Sequence, residues 1–390
     1  MGGTSSYGIS TYKISSSIRR KSMKIIDVQT YLVNADQGDG SDRPRGRNWL
    51  FVKILTDAGI YGVGEGGGWP EVVRVGIEEL KFFLIDENPF DIERLWLKLY
   101  DVVHGHGLTG AVRGGVISAI DMALWDIKGK ALGVPVYELL GGKIRSRIRV
   151  YGHAGSVESA KKLVDRGFTA FKGGANVETL KAIREAVGDD IEIGVHCHGE
   201  YSASAAIRIG KACELFNPAF FEEPTNPDDL GAMELVRDKV DIPLASGERL
   251  YHKWAFKELL QRNLVDIIQP EITRVGGILE TKKVSIMAEA QSVKVAPHDG
   301  SAGPIAEMAN VHVMATIPNL QFLEHRASDV PWRSKVAIGV IPDKDGYIEV
   351  PDAPGLGIDI DVDEIAKHPV KETGAYNYRF RTPEEIQRTR

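Results

Sequence analysis

Two patterns in the 390-residue sequence predict an α/β protein, a (β/α)7β barrel of the TIM type preceded by an α+β domain. The first is a change of texture near residue 147, where a block of strand-like and then helix-like segments gives way to regular strand–helix alternation. The second is a ladder of polar residues, Lys172, His196, Glu222, Glu248, Glu271, His298 and Glu324, each closing a short apolar run, at separations of 24, 26, 26, 23, 27 and 26 residues. Each interval is the length of one strand–loop–helix–loop unit, so seven successive units set a polar residue at the same structural level. In a closed parallel barrel that level is the C-terminal mouth, where active sites lie. An open doubly wound sheet would instead gather its site at one switch point, with fewer strands contributing.

The elements follow in order. Residues 1–22 carry seven serines, several basic residues and no acidic one, and read as a disordered leader. They lack the apolar core of about 7 to 15 residues that a secretory signal needs, which leaves an organellar transit peptide as the other reading. From Met23 to Arg147 an α+β domain is expected, with strands at 24–33, 48–57 and 59–66 and helical spacing through 71–133, notably in GVISAIDMALWDIKGKALG. A polar, Gly-rich loop, DQGDGSDRPRGRN, occupies 36–48. The barrel is expected over 148–350, with RVYGHAG as its first strand and LQFLEH as its eighth. A tail, 351–390, closes the chain.

Composition excludes several function classes. Forty-eight Lys and Arg against 54 Asp and Glu leave a net charge of -6, with no basic face for a nucleic acid. No run approaches the roughly 18 apolar residues of a membrane span. Two cysteines, Cys197 and Cys213, argue against a disulfide framework and fit a reducing, cytoplasmic compartment. The 42 glycines exceed the average of about 7% and are expected in turns at 62–68, 141–142, 173–174, 276–277 and 355–357.

A single acid at a strand end is usually a solvated loop residue or a helix-cap partner, but seven polar residues in register are not explained that way. Carboxylates on three consecutive strands would repel one another in a low-dielectric mouth unless a cation neutralised them. A divalent metal is the simplest such cation, and oxygen ligands favour Mg²⁺. His196 and His198, two apart on one strand, are expected to point into the barrel, with Cys197 packed toward the helices. Lys172 and His298 lie on the second and seventh strands and would flank the bound molecule, one base candidate on each face.

The segments AIDMALWDIKGKALGVPVYELLGG (119–142), FEEP (221–224), SGE (246–248), IIQPEITRVGG (267–277), APHDG (296–300) and PGLGIDI (354–360) resemble the enolase superfamily, in its mandelate racemase subgroup. The resemblance covers nearly everything from Met23 to about 360. It implies that the first domain caps the barrel, that the tail packs back on that cap, and that the chemistry is removal of the proton α to a carboxylate, with a divalent metal stabilising the enediolate. By motif match Glu222 and Glu248 are metal ligands with His196 in the first ligand position, His298 is the base, Glu271 orients it, and Glu324 is the electrophile facing the substrate carboxylate. His198 resembles the residue that protonates the departing 3-hydroxyl in acid-sugar dehydratases of the subgroup.

Three positions depart from the family pattern. Gly174 replaces the second Lys of a Lys-x-Lys motif begun by Lys172, so two opposed bases for racemisation are not both present. His196 replaces an acid, which favours a softer ion such as Mn²⁺, Fe²⁺ or Co²⁺. Glu271 replaces Asp and is one methylene longer, enough to displace His298. The expected activity is therefore dehydration of a sugar acid, an aldonate such as gluconate, galactonate or xylonate, to a 2-keto-3-deoxy acid. The rivals are an epimerase or cycloisomerase with Lys172 as second acid–base group, and an altered barrel that only binds a sugar acid. Substrate contacts are expected from Arg43 and Arg45 (with Arg47) in the polar loop, Trp69 in the GGGW turn, the His104–His106 stretch and His325. A homo-oligomer, dimer to octamer, is the expected assembly, with a small sugar acid as the only other partner.

Overall fold

A computed structural model of the chain describes residues 23–35, 47–104, 110–370 and 383. Strands β1 (Ile25–Asn34), β2 (Asn48–Thr56) and β3 (Tyr61–Gly66) form an antiparallel sheet in that order. Helices α1 (Pro70–Leu80), α2 (Ile92–His104) and α3 (Gly110–Leu132) follow, so strands precede helices as the sequence predicts. α3 is buried without a break from Arg113 to Ile127. A helix that is apolar all round belongs in an interior.

α3 lies against β3, and glycines permit the contact. A Cβ on Gly62 or Gly64 would stand 2.0 Å from the carbonyl oxygen of Ala123 or Ala119. These glycines, expected in a turn, are strand residues whose missing side chains let a helix backbone rest on the sheet.

Eight parallel strands make the barrel: β4 (Arg147–His153), β5 (Ala170–Gly174), β6 (Glu192–His196), β7 (Phe220–Glu222), β8 (Leu244–Ser246), β9 (Ile267–Ile268), β10 (Lys294–Val295) and β11 (Leu323–Glu324). They pair in chain order from β4 to β10, and β11 pairs with β4. A parallel bridge between Val295 and Leu320 and the hydrogen bond from Glu324 N to Pro297 O join β11 to the β10 side. A helix of at least eight residues follows each of the first seven strands, from Val157–Asp165 to Pro304–Met314. Inside, Tyr151, Ala170, Phe220, Ala245, Ile267, Ala296 and Phe322 form a separate buried apolar cluster, the packed interior such barrels require. β6 contributes Gly194 at this depth, where a Cβ would meet the Phe220 ring at 2.0 Å.

Past β11 the chain returns to the first block. β12 (Ala337–Ile338) pairs with β14 (Asp359–Ile360), and β13 (Tyr347–Glu349) pairs antiparallel with β4. Buried Asp126 of α3 accepts hydrogen bonds from Val63 N (2.9 Å) on β3 and Leu356 N (2.8 Å) in the tail. Asn34 N donates to His368 O (2.9 Å). No described helix is long and apolar enough to cross a membrane.

Candidate active site

The seven ladder residues stand at the C-terminal ends of β5 to β11. Lys172, Glu222, Glu248, Glu271, His298 and Glu324 are buried, while His196 is partly exposed.

His298 is held at one ring nitrogen and left open at the other. Its Nδ1 lies 2.7 Å from Glu271 Oε2, and Glu271 Oε1 accepts from Thr273 N (3.0 Å) and Thr273 Oγ1 (2.8 Å). The extra methylene of Glu271 does not displace His298: the side chain caps the short helix Ile272–Val275 and still reaches the ring. Nε2 faces Glu248 Oε2 at 3.5 Å and Glu324 Oε2 at 3.7 Å. Burial works against the imidazolium, but Glu248, Glu324 and Glu271 together raise the His298 pKa to about 9.

Lys172 sits opposite, its Nζ 2.7 Å from Glu222 Oε1 and 3.0 Å from Glu324 Oε1. Gln269 Nε2 donates to Glu222 Oε2 (2.7 Å), and Arg274 Nη1 donates to Glu248 Oε1 (3.0 Å). Burial opposes the Glu222 charge, yet Lys172 and His196 bring its pKa down to about 2. The repulsion expected between the carboxylates is thus already relieved by the chain's own cations, Lys172 and Arg274. It does not by itself require a metal.

Metal-binding capacity rests on two other atoms. His196 Nδ1 and Glu248 Oε2 are buried without a hydrogen-bond partner. His196 Nδ1 is 2.7 Å from Glu222 Oε1 but out of line for a hydrogen bond. An imidazole and two carboxylates fit a divalent ion in kind. Among the described residues, no three His, Cys, Asp or Glu side chains are already gathered around an ion position.

The remaining expected residues divide. The strand ends at His196, so His198 is not placed by strand alternation; it has φ +55°, and its ring lies 5.3 Å from that of His196. Burial pushes its pKa down to about 4. Cys197 is a buried thiol. His325 turns away from the mouth: Nδ1 is 2.5 Å from Glu307 Oε1 and Nε2 is 3.2 Å from Asp343 Oδ1, which leaves neither nitrogen for a ligand. Trp69 stands at the N-cap position of α1, without a side-chain capping hydrogen bond, and is exposed. Arg47 pairs with Asp329 and stacks on Trp49. Arg43, Arg45 and His106 lie outside the described residues, as does the His104 side chain. Sequence reasoning gave no role to Gln269, Thr273 and Arg274, although all three lie within the quoted IIQPEITRVGG motif, and missed His153, whose Nε2 is 2.5 Å from Glu324 Oε1. Only its place at the end of RVYGHAG could have pointed to His153.

Residues 155–365 match the "Enolase C-terminal domain-like" family model. Residues 45–141 match the model of the "Mandelate racemase / muconate lactonizing enzyme, N-terminal domain". The chain belongs to the mandelate racemase/muconate lactonizing enzyme family. Within it, a D-xylonate dehydratase of Haloferax volcanii is 32% identical over 89% of both chains. A D-galactonate dehydratase of Verminephrobacter eiseniae is 38% identical over 75% of this chain and 78% of its own. The crystal structure of the 3,6-anhydro-D-galactonate cycloisomerase from Zobellia galactanivorans superposes with a TM-score of 0.82 at 33% identity, covering 88% of this chain and 99% of that one.

Proposed function

We propose that the chain is a metal-dependent dehydratase that converts an aldonate, of the gluconate, galactonate or xylonate class, into a 2-keto-3-deoxy acid. The observation that carries this reading is the His298–Glu271 pair, one imidazole nitrogen fixed at 2.7 Å and the other turned to a mouth lined with acids and a lysine. The dehydratases among the chain's relatives support the same reading.

In this reading the uncharged fraction of His298, which grows as pH rises toward about 9, takes the C2 proton on Nε2, and Glu271 keeps the other ring nitrogen protonated so that only Nε2 can accept. Negative charge grows on the substrate carboxylate, where Lys172 and Glu324 meet it. The C3–O bond then breaks as His198 hands its proton to the leaving hydroxyl, water departs, and the enol becomes the 2-keto acid. The low pKa of His198 makes it a strong acid, with a small charged fraction near neutrality. A divalent ion, Mg²⁺ or Mn²⁺, held by Glu222, Glu248 and His196 would add electrophilic stabilisation to the same carboxylate.

An α-keto acid assay over C5 and C6 aldonates, with Mg²⁺, with Mn²⁺ and with chelator, tests the proposal. Metal-dependent product from at least one aldonate is expected, and no product from any would overturn it. The buried Lys172 opposite His298, with the cycloisomerase structure, favours isomerisation as the second reading. An NMR spectrum showing an isomer formed without loss of water would select it.

A further inference from the structure

Among the described residues the Glu324 carboxylate is met by His153 Nε2 at 2.5 Å, Lys172 Nζ at 3.0 Å, the Asp299 amide nitrogen at 3.1 Å and His298 Nε2 at 3.7 Å, with the Tyr151 hydroxyl beside it. All are donors or cations. Despite burial, His298, Lys172 and His153 hold Glu324 far below the usual carboxylate range. Yet the proposed reaction brings a substrate carboxylate against it, and two buried carboxylates that meet need a proton between them. The Asp299 amide cannot give one, and the Tyr151 hydroxyl is fully buried, with no solvent contact from which to replace a proton it gave. Lys172 shares its ammonium with Glu222 and is buried away from the solvent that would have to reprotonate it. His298 Nε2 stands 3.7 Å from the carboxylate, beyond hydrogen-bond reach, whereas His153 Nε2 is at 2.5 Å. His153 remains.

We propose that His153 is the proton source for Glu324, a positioning residue that acts through that carboxylate. The His153 Nε2–H bond breaks and a Glu324 Oε1–H bond forms, while His153 Nδ1 accepts a proton from solvent. The imidazole thus stays neutral, and one proton enters the site from the buffer. Product release reverses the transfer. This inference rests on the dehydratase reading and adds to it a route by which Glu324 is protonated.

The surroundings of His153 suit the task. Its side chain is 40% exposed and Glu324 is 1% exposed, so the imidazole can exchange protons with water where the carboxylate cannot. It opens on a cavity of about 390 Å³ lined also by Ser159, Lys162, Arg166 and Arg326. The charges facing it are Glu324 and Lys172 from the strands, Arg326 from the loop after β11, and Lys162 and Arg166 from the first barrel helix and its cap, paired with Glu158 and Asp343. Enclosure by protein atoms, with Lys172 and Arg326, lowers the proton affinity of His153 in spite of Glu324.

The full chain and its His153→Gln and His153→Phe variants test the proposal. Gln can still donate a hydrogen bond to Glu324 but cannot pass a proton on. Both variants are expected to lose roughly 10- to 100-fold in kcat, the scale at which residues behind the reacting groups act, with KM changed less than about threefold. Stopped-flow mixing of protein and aldonate with a pH indicator should show a proton taken up on binding, at least about 10-fold more slowly in His153→Gln than in the wild type. Wild-type kcat and a wild-type rate of uptake in His153→Gln would overturn the proposal. Failure of the wild type on every aldonate would instead overturn the dehydratase reading.

Discussion

The longer side chain of Glu271 is held by the amide and hydroxyl of Thr273. The carboxylate is pinned by Thr273 and still meets His298 at 2.7 Å, so the position is adjusted to Glu. Glu271→Asp, although it restores the residue usual in the family, should therefore withdraw the carboxylate and cut kcat by roughly 10-fold or more with little change in melting temperature. A steady-state assay beside a thermal melt checks this, and an unchanged rate would contradict the role given to the pair. The polar type and station of Glu271 and His298 are legible in the sequence because a strand end recurs about every 25 residues. The partners of Glu222 and Glu248, namely Gln269 and Arg274, are not legible, since Gln269 follows β9 and Arg274 sits in the short helix Ile272–Val275, and only three dimensions bring them to those carboxylates.

At the scale of an element, β11 sorts adjacent residues to opposite sides: Glu324 into the mouth, His325 into an ion cluster with Glu307 and Asp343. Arg333 Nη2 donates to Glu307 (2.9 Å) and Nη1 to Asp329 (2.9 Å), and Asp329 also takes Arg47. Period-2 alternation could have assigned His325 to the outside, but the pair reads as one polar patch in sequence. The His325 pKa is raised to about 9, burial opposing and Glu307 prevailing. Its contribution to stability is thus fully present below the ordinary histidine value of 6.5 and is lost as pH rises through about 9. Glu307 falls to about 2 against burial, through Arg333 and His325, so its contribution is present above 4.5 and is lost as pH falls through about 2. Urea midpoints of the wild type and His325→Gln should differ most near pH 6 and converge above pH 9; a constant gap would refute the assignment. On β6, Gly194→Ala should cost about 1 to 3 kcal/mol by overpacking against Phe220, measurable as a lower urea midpoint.

For the whole molecule, a resident ion would be linked to folding because its ligands come from three adjacent strands. Mg²⁺ or Mn²⁺ at about a hundred times its dissociation constant should stabilise the fold by about 2.7 kcal/mol, and chelator should reverse the gain. Calorimetric titration of wild type against Glu248→Gln checks both binding and the ligand assignment; equal binding by the two would refute it. The barrel was legible because its repeat is periodic. That the tail returns to the first block was implied only by the family resemblance, because the hydrogen bonds that join them, such as Leu356 N to Asp126, leave no period.

That meeting has a consequence for synthesis on the ribosome. The carboxylate of Asp126 is buried in the first third of the chain, yet one of its amide donors, Leu356, is translated 230 residues later. The sheet of β1 to β3 and α3 can collapse early, but it carries an incompletely bonded acid until the tail has emerged. A nascent chain halted near residue 350 should therefore be open to protease within its first block, while the full chain released from the ribosome should not.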